Sequence, residues 1–204
     1  MKSTRMLGLI LPVALIAMAF TGISTAAAES TALCEFDAAN FGEVCPEGHR
    51  VTHLHETTLP GVKTKILTTI NIECDVLFLG DTVTPLRAPL LINGEYTYTN
   101  CSNNCTVVEE NKPSVIKLLK ILPAIATVTL EFLIKVSCPM SINCSFKAEA
   151  MPGTALDPLA SLEENGEILA PEKELTTESG TFCPKASAFL DLKTTPLDLV
   201  YIAK

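Results

Sequence analysis

The sequence predicts an all-β fold, an antiparallel sandwich or open barrel stapled by disulfides and preceded by an N-terminal signal helix. Three features carry that expectation. Short runs rich in Val, Ile, Leu and Thr recur along the chain, Pro and Gly punctuate them, and all eight cysteines lie after residue 33, downstream of a segment built like a secretory signal. Several short strands in series with frequent turns suit a sandwich or barrel better than a helical bundle.

The first 28 residues have the three parts of a signal peptide. Lys2 and Arg5 make a basic start, Met6 to Phe20 is apolar, and Ala26 and Ala28 precede Glu29 with the small side chains a signal peptidase needs. The apolar run is about 15 residues, short of the roughly 20 that span a bilayer as a helix. Cleavage after Ala28 is expected, with residues 29–204 forming a single secreted β domain. Leu33 before Cys34 is not the small residue of a lipoprotein signal. The expected location is secreted or extracytoplasmic.

The mature part, about 176 residues, is long enough to bury a core of its own, so disulfides supplement that core. The full chain carries a net charge of -8, and loss of the two basic signal residues makes the mature part more acidic still. Such a surface suits neither nucleic acid nor an anionic membrane. The absence of Trp and the three Tyr argue against a sugar-stacking platform.

Along the chain, Val51 to Thr58 and Lys63 to Cys74 read as a hairpin around Pro60-Gly61. Val76 to Leu79 extends or follows the second strand, Leu90 to Tyr98 is another with Asn93-Gly94 inside it, and Cys101 to Cys105 brackets a polar turn. Val115 to Leu122 is open between strand and helix, because Val115, Leu118, Leu119 and Leu122 fall at the spacing of one helical face between Pro113 and Pro123. Ile125 to Cys138 reads as a buried strand, since Glu131 and Lys135 interrupt it and deny a membrane span. Ile142 to Ala150 is a return strand, Met151 to Asn165 a loop, and strands resume at Ile168 to Ser179, Phe182 to Lys193 and Leu197 to Ile202.

The residues that could carry chemistry are few. Cys34, Cys45, Cys74, Cys101, Cys105, Cys138, Cys144 and Cys183 are expected in disulfides, since export favours oxidation and no CxxC zinc knuckle occurs. Their number permits on the order of a hundred connectivities. Sequence proximity prefers Cys34 with Cys45 and Cys138 with Cys144, leaving the other four to join strands or close the Cys101 to Cys105 turn. His49, His53 and His55 are the only histidines; alternation puts His53 and His55 on one strand face, with His49 able to join them at the strand start. Imidazoles so placed could hold Zn, Cu or Ni, but no ordered carboxylate partner is identifiable and the preferred reading is a solvated strand face.

Asn100, Asn104 and Asn143 each begin an Asn-Cys-Ser/Thr sequon, but a match only permits glycosylation, and a tight turn beside a cysteine is the preferred explanation because Asn tolerates left-handed backbone. No GxSxG elbow, phosphate-binding Gly loop or dinucleotide fingerprint is present, so no cofactor is implied. Glu109/Glu110 and Glu163/Glu164 are adjacent in sequence, point apart in extended chain, and read as solvated loops rather than an acid/base pair.

The Cys34 to Cys45 loop before Pro46, the Pro60-Gly61 turn, the Thr-rich strand ending at Cys74, the Cys101/Cys105 and Cys138/Cys144 spacings, and Phe182-Cys183-Pro184 before an alternating strand ending in Thr195-Pro196-Leu197 form a pattern. It resembles a set of exported actinobacterial proteins without an assigned activity, over most of the mature chain. The resemblance implies a secreted all-β domain and transfers no catalytic residue. Residues 111 to 136 depart from it by being unusually rich in Leu and Ile, and there it favours strand over helix.

The function expected is therefore noncatalytic: an exported binding or structural module of the envelope or extracellular space. The rivals are a histidine-based metal-binding protein and a secreted hydrolase with a site scattered in sequence. Convergent polar side chains in a groove would favour the hydrolase, and histidines backed by carboxylates would favour metal.

Overall fold

A computed structural model describes residues 31–35, 45, 48–58, 63–83, 89–122, 125–139, 142–156, 166–194 and 200–203. The signal segment and its expected helix lie outside them, as do Pro60-Gly61, Glu163/Glu164 and Thr195-Pro196-Leu197. The described residues form eleven strands: β1 (Ala32–Glu35), β2 (His53–Thr57), β3 (Thr64–Leu67), β4 (Asn71–Thr82), β5 (Leu90–Thr99), β6 (Thr106–Leu122), β7 (Ile125–Cys138), β8 (Ile142–Leu156), β9 (Glu167–Ser179), β10 (Ala186–Thr194) and β11 (Val200–Ala203). Among these residues no helix is long and apolar enough to cross a membrane.

The sheet closes on itself, which makes it neither a sandwich nor an open barrel. From β4 to β10 each strand pairs antiparallel with the next, and β10 then pairs with β2 and β3, which both pair with β4. The barrel thus has eight strand positions and nine strands, with β2 and β3 sharing one position end to end. His53 to Thr57 runs along Asp81 to Leu77, and Thr64 to Leu67 continues along Cys74 to Asn71. The expected β2/β3 hairpin is therefore wrong: the two segments are collinear, not paired with each other. Closure removes the free sheet edges that an open barrel would expose to aggregation.

An eight-stranded barrel leaves an interior just wide enough for side chains to fill. Alternation supplies them: β10 reads buried at every second residue from Ala186 to Thr194. Phe78, Phe146, Ile66, Ile92, Ile116 and Leu130 are among the fully buried side chains, in one continuous core. The outer wall carries charge on successive strands, with Glu73, Glu95, Lys117, Glu131, Lys147 and Lys193 half-buried or exposed. A lipid-facing wall would lose about 2–4 kcal/mol for each Lys or Arg at mid-membrane, so this wall is built to face water or a partner.

Residues 111 to 136 are strand throughout the described part, which settles the region the sequence left open. Helical spacing and a strand with apolar residues on both faces look alike over eight residues, and the long pairing of β6 with β7 decides the matter. Pro113 opens no helix; it sits in a bulge of β6, where Glu110 pairs with Leu133 and Val115 with Glu131, so that four residues of β6 stand against one of β7. The loop expected from Met151 is also corrected, because β8 runs to Leu156 against β7. Asn93-Gly94 turns no hairpin. Gly94 lies opposite Gly80, and a Cβ at either position would collide with the Phe78 ring.

The two ends of the barrel differ. Bridges Cys74–Cys101, Cys105–Cys138 and Cys144–Cys183 all lie where β4, β6, β8 and β10 begin and β5, β7 and β9 end. The preferred Cys138–Cys144 loop is thus replaced by two bridges that tie neighbouring turns together. Asn100 and Asn104 adopt left-handed backbone in the turn around Cys101 and Cys105, whereas Asn143 lies within β8. At the opposite end β1 and β11 pair as a two-stranded ribbon, and Leu33 and Ile202 from it join the barrel core. The fourth bridge, Cys34–Cys45, belongs to this ribbon, as sequence proximity prefers.

Candidate functional site

The histidines divide between two settings. His53 and His55 share the outer face of β2, with Leu54 and Glu56 turned inward. His53 pairs with the carboxylate of Asp81, its register partner across the β2–β4 ladder, and both side chains are largely exposed. His49 lies before β2, its Nδ1 3.5 Å from Glu35 of the ribbon. Exposed pairs of this kind contribute about 0–1 kcal/mol. No three His, Cys, Asp or Glu side chains among the described residues are grouped to hold a metal ion.

Sequence reasoning missed a groove on the outer wall. Its volume is about 370 Å³, and Pro113, Glu131, Leu133, Lys147, Glu149 and Glu178 contribute to its walls. Three irregularities create it: the 111–114 bulge of β6, a register shift in β8 at Ala150, and another in β9 near Glu178. Each extra residue re-aims the side chains beside it. Glu131 and Glu149, directly opposite across β7 and β8, would repel, and each has its own lysine: Lys117 pairs with Glu131, and Lys147 lies 2.9 Å from Glu149.

The hydrogen bond to Glu149, with the added negative charge of Glu149, Glu178 and Glu131, holds the Lys147 ammonium above its ordinary pKa. A lysine held charged in this way is a poor nucleophile and a poor general base. Ion-paired carboxylates around a fixed cation make a polar binding surface rather than an acid/base machine.

Among the described residues two glutamates lie inside the barrel. Glu109 is buried on β6, its Oε2 accepting the Tyr96 backbone N–H at 2.6 Å and its other oxygen accepting the Ser114 hydroxyl. The β5–β6 ladder ends at Gly94 with Ser114, where β6 swerves, and the Glu109 carboxylate supplies the acceptor that the strand no longer offers. Glu109 and Glu110 do point apart, but neither is a solvated loop residue: Glu110 faces outward in β6 and accepts the Ser145 hydroxyl at 2.6 Å. Glu56, 2% exposed, has one oxygen with no protein partner, and burial pushes its pKa well up.

Phe182 is the outstanding side chain of the stapled end. It is 99% exposed, has a left-handed backbone with φ of 58°, and is followed directly by Cys183, which is bridged to Cys144 on β8. Bulky residues adopt that conformation at a cost of about 1–2 kcal/mol. In sequence Phe182 passes for the first residue of a strand; only its backbone and its exposure single it out. No family model matches this chain, and neither the curated proteins nor the solved structures searched contain a match.

Proposed function

We propose that the protein is a noncatalytic exported module of the cell envelope or extracellular space that binds a partner protein through the surface of its barrel. Phe182 is the observation that supports this reading most directly. A large aromatic side chain left in water, on backbone that only glycine or asparagine adopts readily, costs stability without serving the fold. Docked into an apolar pocket, the same ring recovers its hydration cost, about 1.5–3 kcal/mol. The neighbouring disulfide and Pro184 limit the loop's freedom beforehand, so little ordering entropy is lost on binding. Four disulfides favour an oxidising compartment.

The test is site-specific photocrosslinking in the producing cell, with a benzophenone amino acid at position 182 and, as control, at the exposed Lys173. A discrete adduct from position 182 alone is expected. Equal labelling from both positions, or none from either, overturns the reading.

A further inference from the structure

We propose that the space between Glu56 and Thr194, beneath the β1–β11 ribbon, is a binding site for a single water molecule that bridges the carboxyl to the hydroxyl. The two residues are register partners across β2 and β10, and both are buried, so their side chains meet inside the barrel. Glu56 Oε2 and Thr194 Oγ1 are each buried without a protein hydrogen-bond partner. Both residues line a cavity of about 20 Å³ at this end of the barrel. One water needs at least about 10–15 Å³ of such space and two to four polar partners, and these two atoms provide the minimum.

Dry cavities are apolar cavities, and a buried carboxyl left unpaired is among the costlier defects a fold can carry. Among the described residues the ribbon lends Leu33 and Ile202 to the lining, β6 lends Leu118, and β8 lends Ala155 and Leu156, and none of these side chains can hydrogen-bond the acid. On β9, Glu167 lines the cavity but is engaged by Lys193 at 3.6 Å. From β5, Tyr96 lies close enough to sense the charge of Glu56, and its hydroxyl also has no protein partner. A neutral Glu56 can donate to the water, which in turn donates to Thr194.

Crystal structures at high resolution of the disulfide-bonded protein, of Glu56→Gln and of Thr194→Val decide the matter. One ordered water within about 2.7–3.2 Å of both side chains is expected in the first two. Thr194→Val should lower its occupancy or expel it. Water-¹⁷O relaxation dispersion should find one fewer long-lived water in Thr194→Val, a comparison that needs no crystal. A dry cavity in the unsubstituted protein overturns the proposal. So does a Glu56 carboxyl turned to solvent or bonded directly to Tyr96 or Thr194, or a long-lived water count that Thr194→Val leaves unchanged.

Discussion

Single residues set opposing pH dependences at the two ends of the barrel. Asp75 accepts hydrogen bonds from Lys63 and from Asn100, and these hold its pKa below 3.8. A lowered carboxyl contributes stability that is present above the unfolded value and lost as pH falls through the folded one. Glu56 does the reverse: burial raises it above 4.5, so its contribution is complete below that pH and fades as pH climbs through the raised value. Urea unfolding from pH 3 to 9 should therefore show a maximum, with Glu56→Gln flattening the alkaline limb and Asp75→Asn the acid limb. An alkaline limb unchanged by Glu56→Gln would mean that the carboxyl is not buried as described. A second prediction concerns backbone contact. Gly94 faces Gly80 with the Phe78 ring over both, and an added methyl at Gly94 meets that ring and the Leu79 carbonyl. Overpacking of this sort costs about 1–3 kcal/mol, so Gly94→Ala should lower the midpoint of unfolding, whereas Gly48→Ala, with open space around it, is opposed only by its left-handed φ.

At the level of elements, β6 shows how a strand leaves its ladder without leaving buried backbone unpaired. Glu109 holds both the Tyr96 N–H and the Ser114 hydroxyl across the gap opened by the bulge. Glu109→Ala orphans both donors and should cost about 2–4 kcal/mol in urea unfolding, while Glu109→Gln keeps an acceptor for Tyr96 and should cost less. Equal losses for the two variants would show that charge or packing, rather than the lost acceptor, is decisive. The same region marks the boundary of what the sequence made legible. Strand existence was readable from β-branched runs and period-two burial, so β5, β7, β9 and β10 lie near their expected positions. Partner choice was not. Pro60-Gly61 signalled a hairpin, yet β2 and β3 both turn to β4, because pairing depends on closure of the whole sheet and not on the intervening turn. Cys138 and Cys144 are near in sequence but lie on paired strands whose neighbours offer Cys105 and Cys183. The groove was invisible for a like reason, since its glutamates converge only through bulges that no propensity encodes.

For the whole molecule, the arrangement of disulfides predicts where the barrel opens first. Bridges that close 27, 33 and 39 residues tie successive turns at one end, and the ribbon end has a single bridge closing 11 residues. In the chain-entropy model a loop near 33 residues contributes roughly 4 kcal/mol and one near 11 roughly 3. The Cys34–Cys45 bridge, moreover, lies within the N-terminal segment and links no two barrel strands, so it limits the ribbon and not the wall. The ribbon has only short registers, four residue pairs between β1 and β11, and covers the end that holds the unpaired Glu56 oxygen. Sub-global opening should start there. Native-state hydrogen exchange is expected to show β1 and β11 exchanging through a low-energy opening, with the central amides of β7 and β8 protected to the global limit. Removing Cys34 and Cys45 together should lower ribbon protection while leaving the β7–β8 amides almost unchanged. Removing Cys105 and Cys138 together should instead lower protection across the barrel. If the ribbon proves as protected as β7 in the native protein, it is an integral layer of the core, and the opening order argued from the placement of the bridges fails.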